Sequence, residues 1–214
     1  MASYQYYFFD LDGTLVDSEK GITNSVKYVL EKYHIKNYDM ETLRKFIGPP
    51  LGESFQKYFG FPQEETERLI KSYREYYTAG GMYEAEIYGG IEELLKGLKK
   101  EGKTLAVATS KPEAFAKQIL ERFGLAPYFD CIAGASMDGS RIAKDAVLEY
   151  ALSRCGVEEK ARAVMIGDRE HDIFGARKNG LDSIGVLFGF GSRKELEEAG
   201  ADYIAETPDE IIKI

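Results

Sequence analysis

The run Tyr6-Tyr7-Phe8-Phe9 ends in Asp10-Leu11-Asp12-Gly13-Thr14, so an apolar stretch of strand length gives way to two acids one residue apart and a Gly-Thr turn. Residues two apart on a strand point to the same face, and a chain leaving its strand at Asp12-Gly13 can swing the second acid around the same small space. Two carboxylates held that close repel unless a cation or a shared proton lies between them, so the pattern implies a bound metal or a proton-sharing pair. The plainer alternative is a strand ending in a solvated Asp-Gly turn.

Other segments decide between them. Ala163-Val164-Met165 runs into a second acidic turn, Ile166-Gly167-Asp168-Arg169-Glu170-His171-Asp172. Leu105-Ala106-Val107-Ala108 ends in Thr109-Ser110-Lys111, and Lys144 opens a helical pattern with Val147, Leu148, Ala151 and Leu152 on one face. Strands are expected over 104–109, 130–133 and 184–187 and before Asp168. Helices are expected from Ile91 to Gly102, from Pro112 to Gly124, from Lys144, and from the acidic turn to Gly180, with a weaker strand and helix to Ile214. Alternating strands and helices give an α/β fold, a doubly wound parallel sheet covered on both faces. In such sheets ligands bind beyond the carboxyl ends of the strands, where Asp10, Thr109 and Asp168 all fall. Residues 18–80 differ: apolar residues at helical spacing (Ile22, Val26, Val29, Leu30; Leu43, Phe46, Ile47; Leu51, Phe55; Leu69, Ile70, Tyr73, Tyr77) and a stop at Gly80-Gly81 read as an inserted helical bundle. Most of the many tyrosines of this region are expected to form its core.

A chain of 214 residues with 44% hydrophobic content suits one core plus a subdomain. No apolar run approaches the roughly 20 residues that span a bilayer, and no export signal is visible, so no membrane partner is expected. Two cysteines, Cys131 and Cys155, are too few for a disulfide framework; they read as packing residues in a cytoplasmic protein. A net charge of -8 argues against nucleic acid as a partner. Residues 18–80 carry ten Lys or Arg against nine Asp or Glu, which concentrates the acidity in the rest of the chain.

The ordered set Asp-x-Asp-Gly-Thr, Thr-Ser, Lys, Gly-Asp-x-x-x-Asp, spread over residues 8–172, resembles the haloacid dehalogenase-like hydrolase superfamily. It is most similar to phosphatases of the phosphoglycolate phosphatase and 5'-nucleotidase type. The resemblance implies a Rossmann-like α/β core of residues 1–17 and 81–214 with a helical cap of residues 18–80. It also implies Mg²⁺ and a small phosphorylated metabolite as substrate, in a monomer or homodimer.

Under it, Asp10 is the nucleophile and Asp12 the proton donor and acceptor. Thr109 and Ser110 hold phosphate, and Lys144 neutralises charge around Asp10, with Lys111 and Arg141 as rivals for that task. Lys111 reads as a solvated residue at a helix start. Asp10, the backbone carbonyl of Asp12, Asp168 and Asp172 are the expected metal ligands, Asp172 directly or behind a ligand. His171 is not one, because a hard Mg²⁺ prefers oxygen. Thr14 is expected to fix the turn or the Asp10 loop, and Lys20, Arg44 or Lys45 to meet an anionic substrate tail as the cap opens and closes.

Departures weaken the substrate assignment: Lys144 is followed by Asp145 and position 20 is Lys20, where proline is frequent in the phosphoglycolate phosphatase group. Asp12 makes dehalogenation unexpected. Thr14 is unlike β-phosphoglucomutase-type phosphotransferases, and the order of motifs is unlike a phosphoacceptor receiver domain. Sugar-phosphate hydrolysis and a non-catalytic binding protein on the same fold remain as alternatives.

Overall fold

The computed structural model of the chain describes residues 4–214. Its main sheet has six parallel strands: β1 (Tyr6–Phe9), β4 (Thr104–Pro112), β5 (Cys131–Ala135), β6 (Ala163–Gly167), β7 (Asp182–Val186) and β8 (Tyr203–Ala205), in the spatial order β5-β4-β1-β6-β7-β8. Counted along the chain this is 3-2-1-4-5-6, so strand order reverses at β1 and a crevice opens beyond its carboxyl end. The registers Phe8↔Ala106 and Phe8↔Met165 align the three central strands.

Helices fill the crossovers: α5 (Ile91–Lys100), α6 (Glu113–Arg122), α7 (Lys144–Arg154), α8 (Glu170–Asn179) and α9 (Arg193–Ala199), while α10 (Pro208–Ile211) follows the last strand. Phe8, Ala106, Ala108, Ala133 and Met165 face α7 and α8 through Val147, Leu148, Ala151 and Ala176. The alternate residues Tyr7, Phe9, Leu105 and Val107 are buried facing the other way, as a sheet covered on both sides demands. On α5, Ile91, Leu94, Leu95 and Leu98 fall on one buried stripe; each such burial contributes roughly 1.5–3 kcal/mol. Cys131 and Cys155 are free thiols: Cys131 is buried in the core on β5, and Cys155, just past the end of α7, is half-buried against it.

The chain divides into two compact units, one of residues up to 16 and 87–214, the other Asp17–Glu86. Two short strands, β2 (Val16–Asp17) and β3 (Glu86–Ile87), pair where the chain passes between them. The smaller unit holds α1 (Glu19–Lys32), α2 (Met40–Arg44), α3 (Leu51–Phe59) and α4 (Gln63–Ala79). It runs past the sequence-based boundary at 80 because the turn Gly81–Tyr83 packs on α1 and α4, buries Met82, and leads to Glu84, whose carbonyl accepts from Gly21 N–H at 3.0 Å. Counted over these limits the unit carries ten cationic and twelve anionic residues, so the expected charge contrast between the units largely disappears.

Its core is aliphatic and phenylalanine-rich, with the Phe46 ring 4.9 Å from Phe55. The tyrosines do not form it: of Tyr28, Tyr33, Tyr38, Tyr58, Tyr73, Tyr76, Tyr77, Tyr83 and Tyr88, only Tyr73 and Tyr77 are buried. A phenol needs a partner, and Tyr28 and Tyr76 reach theirs, Glu75 and Glu84, at the edge of the bundle. No helix among the described residues is long and apolar enough to cross a membrane.

Candidate active site

Asp10 follows the last residue of β1, and its N–H continues the pairing with β6 by donating to Ile166 O at 2.9 Å. The chain then coils tightly. Thr14, Leu15 and Val16 all donate their N–H groups to Leu11 O, and Gly13 N–H donates to Val16 O at 2.9 Å. Gly13 sits at φ +81°, a region other residues avoid, and a Cβ there would collide with the Asp168 carboxylate.

The carboxylate of Asp10 accepts from Leu11 N–H at 2.7 Å and lies 2.9 Å from Lys144 Nζ, through Oδ1 in both cases. Lys144, at the first position of α7, reaches Asp172 Oδ1 at 2.8 Å and donates to Ala108 O at 3.1 Å. Asp172 lies in the first turn of α8, where its Oδ2 accepts from Arg169 N–H at 3.1 Å. Asp168, fully buried at the end of β6, accepts from Phe190 N–H at 2.8 Å and from the Thr14 hydroxyl at 3.4 Å. Thr14 thus ties the loop after Asp10 to Asp168.

Burial dominates the electrostatics. It pushes the Asp168 carboxyl well above the usual carboxylate range, and Asp172 and Asp10 push it further. Asp172 is raised to about 6: burial outweighs the attraction of Lys144, and Asp10 adds repulsion. For Lys144 burial opposes the charge, yet Asp10 and Asp172 prevail and hold it above the ordinary lysine value. Three acids against one lysine leave the pocket short of positive charge.

Asp10, Asp168 and Asp172 each present a carboxylate oxygen within 4.8 Å of the others, and all three are buried. Asp172 Oδ1 is fully buried and, among the described residues, has no hydrogen-bond partner beyond the Lys144 ammonium at 2.8 Å. Hard oxygens, clustered, buried and under-neutralised, fit a divalent cation of the Mg²⁺ class. The Asp12 carboxylate is not in this cluster; its Oδ1 lies 2.8 Å from Lys111 Nζ. That overturns the reading of Lys111 as solvated, since its side chain is only 7% exposed.

Thr109 is buried and accepts from Lys111 N–H through its hydroxyl at 3.2 Å, with Ser110 half-buried beside it. Arg141 is engaged elsewhere: it donates to Gly134 O at 3.0 Å and its guanidinium lies 3.7 Å from the centre of the Tyr150 ring. Arg44 and Lys45 lie in the helical unit, exposed and paired with Glu19 at 2.9 Å and Glu41 at 3.1 Å. His171 is half-buried on α8 and outside the acidic group.

The loop after β7, which the sequence motifs do not mark, also borders the candidate site. Besides the Phe190 N–H bond, a Cβ on Gly189 would strike Gly13 O and the Asp168 side chain. Two glycines alternating with phenylalanine, Phe188-Gly189-Phe190-Gly191, straight after a strand were the available sign of close backbone approach.

The haloacid dehalogenase-like hydrolase family matches this chain over residues 7–186, from β1 to the end of β7. The chain is a haloacid dehalogenase-like hydrolase. This hydrolase is 42% identical over 193 residues, 90% of its own length and 87% of the relative's, to a 5'-nucleotidase of Pseudomonas aeruginosa. It is 38% identical to the tyrosine-protein kinase PtkA of Mycobacterium tuberculosis, over 98% of this chain and 72% of that one. The crystal structure of a predicted phosphatase from Clostridium acetobutylicum superposes with a TM-score of 0.94 at 52% identity, covering 98% of this chain and 97% of that one.

Proposed function

We propose that the hydrolase is a Mg²⁺-dependent phosphatase that cleaves a small phosphomonoester, of the phosphoglycolate kind, through an aspartyl-phosphate on Asp10. The observation that carries this reading is the Asp10 carboxylate, buried at the end of β1 with Lys144 2.9 Å away, while Asp12, two residues on, is held apart on a different lysine. This supports assigning attack to one acid and proton transfer to the other. A carboxylate attacks phosphorus without a base to activate it, whereas an alkoxide leaving group needs a proton.

In the scheme we favour, Asp10 attacks and Asp12 gives its proton to the departing oxygen. Asp12 then takes a proton from the water that opens the acyl phosphate. Thr109 and Ser110 hold phosphate oxygens, and Lys144 neutralises charge on the nucleophile side. Asp10, Asp168, Asp172 and the Asp12 carbonyl would hold Mg²⁺, which when bound offsets the repulsion between Asp10 and an anionic ester. Substrate choice is assigned to the helical unit, with Arg44 and Lys45 as the candidates for meeting a carboxylated substrate. The nucleotidase name of the Pseudomonas relative supports a nucleoside monophosphate as the alternative substrate.

The test is phosphate release with Mg²⁺ across two-carbon acid, sugar and nucleoside monophosphates. Selective release from the two-carbon acid supports the phosphoglycolate-like reading, and release chiefly from nucleotides replaces it with the alternative. Transfer of phosphate from ATP to a tyrosyl peptide without hydrolysis would overturn both, as would binding without turnover.

A further inference from the structure

Lys111 is the second buried lysine of the site, and the scheme above gives it no task. Its Nζ lies 2.8 Å from Asp12 Oδ1, an oxygen fully buried in the structure. Taking both charges out of water is costly, and such pairs are not in general retained for stability alone. The local backbone is built to make this one. β4 and β5 run in register from Ala106↔Cys131 to Thr109↔Gly134, then the pairing shifts between Thr109 and Pro112. Irregularities of this kind re-aim side chains beside active sites. Here Lys111 N–H is anchored on the Thr109 hydroxyl at 3.2 Å while its ammonium turns to Asp12. Lys144 cannot serve Asp12 as well, being occupied by Asp10, Asp172 and Ala108 O.

We propose that Lys111 is a positioning residue for proton transfer: it grips Oδ1 of Asp12 and so presents Oδ2 to the leaving oxygen and then to the attacking water. This rests on the phosphatase reading with Asp12 as proton carrier. In the first half-reaction the bond from Asp10 oxygen to phosphorus forms as the ester P–O bond breaks, and the proton on Asp12 Oδ2 passes to the leaving oxygen. In the second, water adds to phosphorus, its proton returns to Oδ2, and the bond between Asp10 oxygen and phosphorus breaks. Lys111 keeps its own protons throughout. A lysine that merely held phosphate would assist every ester alike, whereas one acting through Asp12 matters most where the leaving group needs a proton.

The experiment compares kcat/KM for 4-nitrophenyl phosphate, whose leaving group departs unprotonated, with that for ethyl phosphate, whose leaving group does not. Lys111→Met should lose roughly tenfold or more beyond its loss on the aryl ester when acting on the alkyl ester, and Lys111→Arg should recover most of the difference. Added to Asp12→Asn, Lys111→Met should cost less than about threefold, because its partner in proton transfer is already gone. Melting curves report folding. If Lys111→Met alone does not fold, the double variant, which leaves no carboxylate stranded, and Lys111→Arg carry the comparison. Equal losses on both esters, expressed in KM, would make Lys111 a phosphate ligand and overturn the proposal, as would full additivity with Asp12→Asn. Wild-type protein that released phosphate from neither ester would take the proposal down with the reading on which it rests.

Discussion

Gly13 lies against Asp168 so closely that the carboxylate occupies the space a Cβ would need. The loop after Asp10 and the buried acid at the end of β6 are therefore fitted to each other through a missing side chain. Gly13→Ala should be penalised twice, by the left-handed backbone at φ +81° and by the collision. The backbone term alone costs about 1–2 kcal/mol. Because the displaced group is a candidate metal ligand, the variant should also need more Mg²⁺ for half-maximal phosphate release. A melting temperature and Mg²⁺ requirement both equal to wild type would show that the loop relaxes freely.

Asp10→Asn should keep the fold and lose turnover. The amide oxygen can still accept from Leu11 N–H and from Lys144, which the carboxylate does at 2.7 and 2.9 Å, but an amide does not attack phosphorus. We expect phosphate release to fall by roughly 10⁴-fold or more, the scale on which nucleophile removal acts, with an unchanged circular dichroism spectrum. Residual activity within tenfold of wild type would remove Asp10 from the nucleophile's role.

The parts of the site that were legible in the sequence share one physical cause. Asp10, Thr109 and Asp168 are polar residues terminating apolar runs, and a doubly wound sheet gathers strand ends at one edge, so three distant segments could be placed together from their patterns alone. Lys111 escaped because its direction depends on the irregularity after Thr109, which follows from pairing with β5 and leaves no trace in composition. The tyrosines depart from expectation for a related reason: helical spacing identifies a face, but whether a phenol sits inside it depends on an acceptor such as Glu84 or Glu75 standing at the rim. Gly80-Gly81 marks the end of α4 as expected, yet the next turn still packs on α1, so a helix stop was not a domain boundary.

Phe55 tests the helical unit independently of catalysis. It is fully buried, with its ring 4.9 Å from Phe46 and 6.3 Å from Phe61. Phe55→Ala removes most of a large aromatic from a small core, where the cavity can close only in part, and should destabilise by about 3–5 kcal/mol. Urea unfolding measures it; a loss below about 1 kcal/mol would mean that the unit's stability does not depend on this cluster.

Removing metal should change how stability depends on pH. Burial first, then Asp172 and Asp10, raise the Asp168 carboxyl well above its unfolded value, and Asp172 is raised to about 6, again by burial first. An acid whose folded pKa lies above its unfolded one binds more protons in the native state, so stability falls as pH rises through that interval. Lys144, raised by Asp10 and Asp172 against its burial, is charged throughout and adds no slope below its unfolded value. In EDTA, then, the melting temperature should decline from about pH 5, where carboxylates held low by ion pairs such as Asp130 and Asp145 are ionised in both states, through pH 6 and beyond, because Asp168 and Asp172 retain protons when folded that the unfolded chain has given up. A divalent cation held by Asp10, Asp168 and Asp172 supplies the missing positive charge and favours their ionised forms. With saturating Mg²⁺ the decline should flatten, and the stabilisation by metal should grow from pH 5 to pH 7. Parallel curves with and without Mg²⁺ would separate these acids from metal binding.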